Sequence, residues 1–153
     1  ATVAGGDGDR IAAMAADVCG HADAGATALR EAKYAWAGQL RASGDRDQAL
    51  KLYKELASDV KTREGSEAAY YVIEALFESG DLDKTESEVF AFSDREPNAY
   101  WLAKAFLLLG DVYVRKGDTF QARATYQSVA DGYSPADDGI VDEAKERIAK
   151  LKN

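Results

Sequence analysis

Cysteine, histidine and methionine each occur once in these 153 residues, and proline only twice. A lone Cys19 can close no disulfide within the chain, so it reads as a small buried hydrophobe rather than a reactive thiol. His21 completes a C-x-H pair with it, but a zinc site needs about four ligands and no second Cys or His is present. Any Ser-His-Asp or Cys-His arrangement would have to use the same imidazole. Neither G-x-S-x-G nor G-x-x-x-x-G-K-[ST] occurs, and GGDGD at 5–9 lacks both the lysine and a preceding strand. No metal, no cofactor and no enzymatic activity is therefore expected. Carboxylate pairs are plentiful among 27 acids and say little; ADD at 136–138 reads as a helix N-cap. Long apolar runs are missing too. The most apolar stretch, AYWLAKAFLLLG at 99–110, is too short to span a bilayer and carries Lys104. The first residues, ATVAGGDGDR, lack the pattern of a signal peptide, so no compartment can be read from them.

What the chain has in quantity is acid: a formal charge of −8, which repels nucleic-acid backbones and anionic lipid. With 46% apolar and 30% charged residues, it predicts one soluble, compact unit. It also has three similar turns, SGDRDQA at 43–49, SGDLDKT at 79–85 and KGDTFQA at 116–122. Around them apolar residues recur at helical spacing: Ala32, Ala35, Trp36 and Leu40 in 31–42, then Leu50, Tyr53, Leu56 and Ala57 in 45–59. The same pattern predicts helices at about 66–79, up to 93, about 98–116 and 119–131, with Pro97 and Pro135 as terminators. The turn glycine supplies a left-handed cap to one helix, and the aspartate behind it caps the next.

The turn glycines Gly44, Gly80 and Gly117 stand 36 and 37 residues apart, close to the ~34 of the tetratricopeptide (TPR) unit. Five places after each come small residues, Ala49, Thr85 and Ala122; four further on Tyr53, Val89 and Tyr126; then Leu56, Phe92 and Val129. Upstream, Leu109, Gly110 and Tyr113 match the family's Leu-Gly…Tyr signature, while Trp36-Ala37 with Leu40 and Val72-Ile73 with Leu76 are looser. From about 30 to 135 the chain resembles the TPR family. The resemblance implies an all-α, right-handed solenoid of antiparallel helix pairs, with three repeats over 25–135. In physical terms, the small residue lets paired helices approach closely, the aromatic fills the space beneath the turn, and stacking covers the bare face of each pair.

At the ends, 136–153 predicts a capping helix striped with Ile140, Val141, Ala144, Ile148 and Leu151. Residues 1–24 predict a degenerate half-repeat, with Gly6-Asp7 as its turn and Ile11, Met14, Ala15 and Val18 as its inner face. A half-repeat opposite a proper cap suggests a C-terminal portion of a longer protein. The stretch from SDREPNAYWLAKAFLLLGDVYVRKGD to the cap also resembles the C-terminal end of long bacterial envelope TPR proteins, which implies a periplasmic or outer-membrane-associated setting.

In TPR arrays the first helix of each pair lines a concave groove. Helical spacing places Tyr34, Gly38 and Arg41 there, with Tyr70, Glu74, Phe77 and Glu78, and then Lys104, Leu107, Asp111 and Arg115. Tyr70 is the expected anchor, since tyrosine offers a large, partly rigid contact surface; the alternative is that it lies against Tyr71 as packing. TPR domains that grip a C-terminal carboxylate use Lys, Asn and Arg, whereas Gly38, Glu74 and Asp111 hold the central positions here. A neutral or basic peptide or helix of a partner protein is thus expected, the chain acting as a scaffold or adaptor. A purely structural or self-associating segment is the alternative.

Overall fold

In the computed structural model, which describes residues 25–151, seven helices follow one another with no strand between them. They are α1 (Ala26–Ala42), α2 (Arg46–Leu56), α3 (Arg63–Glu78), α4 (Leu82–Asp94), α5 (Ala99–Arg115), α6 (Thr119–Gly132) and α7 (Ile140–Lys150). The expected half-repeat at 1–24, with Cys19 and His21, lies outside the described residues.

The three turns are built alike. Gly44, Gly80 and Gly117 have φ of 91°, 88° and 80°, a region closed to most side chains. From that bend the N–H of Asp45, Asp81 and Asp118 reaches back to the carbonyls of Leu40, Leu76 and Tyr113. Each Asp side chain then accepts the third N–H of the next helix, from Gln48 at 3.2 Å, Lys84 at 3.1 Å and Gln121 at 3.0 Å. One Gly-Asp dipeptide ends one helix and starts another, and so dictates an antiparallel pair.

Pairs stack in chain order. Each second helix (α2, α4, α6) packs on the first helix of its own pair and on the next one, α3, α5 or α7. First helices also touch one another, α1 on α3, α3 on α5 and α5 on α7, whereas no two second helices touch. The stack therefore closes on the side of the first helices and opens on the other, as in a TPR-like helical repeat.

Inside the pairs, the small-residue positions are sealed: Ala49, Thr85 and Ala122 are all buried. Thr85 satisfies its hydroxyl by donating to the carbonyl of Asp81 at 2.7 Å. The partner positions are matched in volume, with Ala37 in the cluster of Tyr53, Gly110 against Tyr126, and Ile73 in the cluster of Val89. A Cβ on Gly110 would lie 2.2 Å from the Tyr126 ring, so glycine there is a condition of the close approach.

Two boundaries differ from the periodicity. The second helix ends at Leu56 rather than near 59, because Arg95 takes the carbonyls of Ala57 and Ser58 at 2.7 and 3.0 Å. The third helix starts at Arg63 rather than 66, capped by Thr62, whose hydroxyl accepts from Gly65 at 3.0 Å. The expected N-cap at 136–138 is displaced: Gly139, at φ 92°, holds the N-cap of α7, and Asp138 just before it accepts from the N–H of Ile140 at 3.2 Å.

Candidate functional site

The first helices form one layer, and most of the residues expected on its face are engaged with a neighbouring helix. Tyr34 of α1 donates to the Glu67 carboxylate of α3 at 2.9 Å; burial and that carboxylate push its phenol up to about 12. Arg41 reaches Glu74 at 3.3 Å, and its guanidinium lies over the Tyr71 ring at 4.0 Å. Between them, Gly38 is exposed, and a side chain added there would meet nothing within 4 Å.

Farther along the layer, Lys104 of α5 pairs with Glu143 of α7 at 3.6 Å. Asp111 accepts from Arg147 of α7 at 3.1 Å and from the hydroxyl of Tyr126. Arg115 of α5 stacks on Phe77 of α3, with its guanidinium carbon 4.0 Å from the ring centroid. The two acids that argued for a neutral or basic partner, Glu74 and Asp111, thus each have an internal cation.

Two of the expected groove residues sit in the core. Leu107 is 2% exposed and Tyr70 8%, so neither presents a surface to a ligand in this conformation. The rings of Tyr71 and Trp101 lie 5.9 and 5.5 Å from that of Tyr70, and its hydroxyl points at Glu74 at 3.5 Å. Trp101 comes from the following repeat, which is why helical spacing within one repeat put Tyr70 on the free face.

Sequence spacing missed Glu67, Glu143 and Arg147, which complete these contacts from other helices. Arg41 and Glu74 are 33 residues apart, as are Tyr34 and Glu67, so polar complementarity about three residues short of the 36-residue repeat interval is the signal that could have found the pairs.

Open space exists on both sides of the stack. Toward the end of the first-helix layer is a cleft of about 360 Å³, reached by Phe77, Val114, Arg115, Arg147, Lys150 and Leu151. On the opposite side, where α2 and α4 do not touch, a cleft of about 460 Å³ is floored by Leu50, Val72 and Leu76 and rimmed by Lys54, Lys84 and Glu88. No group of three or more metal-ligating side chains comes together among the described residues, and none of their helices is long and apolar enough to cross a membrane.

A tetratricopeptide repeat family model matches residues 104–134, which run from the middle of α5 through α6. No curated protein matches the chain. The matched segment holds Gly110, the Gly117-Asp118 turn, Ala122 and Tyr126, the residues that bring α5 and α6 into contact. A repeat of this family implies a protein–protein interaction module, of a kind that is usually not catalytic.

Proposed function

We propose that this chain is a protein-binding module that holds a peptide or helix of a partner protein along the layer of first helices. It would serve as a scaffold or adaptor segment of a larger protein. The carrying observation is the layer itself: α1, α3, α5 and α7 touch in succession and leave Gly38, Val114 and Arg115 exposed beside half-buried Tyr34 and Phe77. Aromatic and arginine side chains on a continuous rigid face are what interface hot spots are made of. A periplasmic or outer-membrane-associated setting is part of the proposal and rests on the likeness of the tail to bacterial envelope TPR proteins.

A second reading, a structural or self-associating segment, is favoured by how many polar groups of this face already pair internally, at Tyr34–Glu67, Arg41–Glu74, Lys104–Glu143 and Asp111–Arg147. One pair of variants separates the readings. Gly38→Trp fills the face where no side chain would be met, whereas Lys54→Trp fills the opposite cleft. In affinity capture, a binding module loses its partner with Gly38→Trp and keeps it with Lys54→Trp, at unchanged melting temperature. No capture by any of the three proteins supports the structural reading, and equal capture by all three overturns binding along the first-helix layer.

A further inference from the structure

The two arginines that stack on aromatic rings differ in what their N–H edges meet. A guanidinium stacked on a ring keeps its donors in the ring-parallel plane, preset for a planar carboxylate. At Arg41 those donors end on Glu74 at 3.3 Å while the face lies on Tyr71. At Arg115 the face lies on Phe77 at 4.0 Å, but its only hydrogen bond among the described residues is a long one, 3.5 Å, to the carbonyl of Phe77. No acidic side chain of the described residues comes within salt-bridge distance of Arg115.

Lys150, at the end of α7, borders the same cleft and likewise has no carboxylate partner among the described residues. Elsewhere in the first-helix layer, Arg30 lies 3.4 Å from Glu64, Lys104 pairs with Glu143 at 3.6 Å and Arg147 with Asp111 at 3.1 Å, while Arg63 and Lys145, which have no carboxylate partner among the described residues either, do not border this cleft. Asp111, the acid of this cleft, is held by Arg147 and Tyr126. In a chain of net charge −8, Arg115 and Lys150 thus stand at this end of the layer without a carboxylate partner among the described residues. Between them lies apolar surface from half-buried Phe77, Leu151 and 46%-exposed Val114.

We infer that the cleft between α3, α5 and α7 docks an acidic, hydrophobic peptide segment, its carboxylate in the plane of Arg115 and near Lys150, its apolar side chain on Phe77, Val114 and Leu151. This rests on the first-helix layer being a binding face, and names the partner chemistry of its far end. It also departs from the neutral or basic partner expected from Glu74 and Asp111, whose charges are met from within. A second copy of this acidic chain is the competing occupant.

The test is fluorescence anisotropy of the full chain with a labelled octapeptide, EDLFDELE, and its basic counterpart, KKLFKKLK. The acidic peptide binds, weakens several-fold between low and physiological salt, and weakens about tenfold with Arg115→Gln and measurably with Lys150→Gln. Lys54→Gln, on the opposite side, leaves its affinity unchanged. Preference for the basic peptide, no binding of either, or binding indifferent to both variants overturns the inference. Partner capture sensitive to Gly38→Trp would survive each of those results, so the wider reading fails separately. A concentration-dependent dimer of the free chain that disappears with Arg115→Gln assigns the cleft to a second copy and also overturns it.

Discussion

Two glycines in the middle of helices carry opposite expectations. Gly38 stands in open space, so Gly38→Ala gains helix propensity and stabilises the protein by about 0.5–1 kcal/mol. Gly110 lies beneath Tyr126, where a Cβ would come within 2.2 Å of the ring, so Gly110→Ala destabilises by about 1–3 kcal/mol through overpacking. Denaturant midpoints of the two variants on opposite sides of wild type would check both. A pH effect belongs to this scale too. Glu86 accepts from the Tyr113 hydroxyl at 2.6 Å and from Lys116 at 2.9 Å, which holds its carboxyl below its usual 4.5. A carboxyl lowered by folding adds stability above its unfolded value, and that stability is lost as pH falls through the folded one. Tyr113→Phe should therefore cost about 1 kcal/mol at neutral pH, a figure discounted for partial solvent screening, and the gap to wild type should close as pH falls below 4.5. A gap independent of pH would show that the phenol acts only through packing.

Among the helix pairs, the instructions are local where the chain is easiest to read. Turn, left-handed glycine and capping aspartate lie within six residues, so SGDRDQA, SGDLDKT and KGDTFQA revealed three pairs and the helix limits around them. Contacts between repeats were hidden, because Trp101 on Tyr70 or Arg147 on Asp111 depends on how one pair seats on the next. A face read from spacing within one repeat does not register the next repeat, and Trp101 of that repeat packs on Tyr70. The caps should act independently: Asp45→Ala, Asp81→Ala and Asp118→Ala each cost about 1 kcal/mol, and the triple variant their sum. Volume matching within a pair should be coupled instead. Ile73→Gly opens space and Val89→Tyr overfills it, but together they copy the Gly110–Tyr126 arrangement. The double variant should be more stable than the sum of the single effects by at least about 1 kcal/mol.

For the whole molecule, stability is shared between neighbours. Buried Ile140 and Ala144 of α7 belong to the same core cluster as Tyr126 and Leu107, so the last helix covers a surface that would otherwise be bare. The same stacking creates the continuous layer of α1, α3, α5 and α7 while leaving α2, α4 and α6 apart. In the proposed function this asymmetry, more than any single side chain, distinguishes the face offered to a partner from the other one, and the 460 Å³ cleft near Leu50 and Leu76 is the main rival to that proposal. The most direct measurement is a backbone amide NMR shift map of the full chain titrated with a captured partner. The account predicts perturbations concentrated on α1, α3, α5 and α7, around Gly38, Phe77 and Arg115. Perturbations confined to the outer cleft of α2 and α4, around Leu50, Lys54 and Lys84, would contradict it.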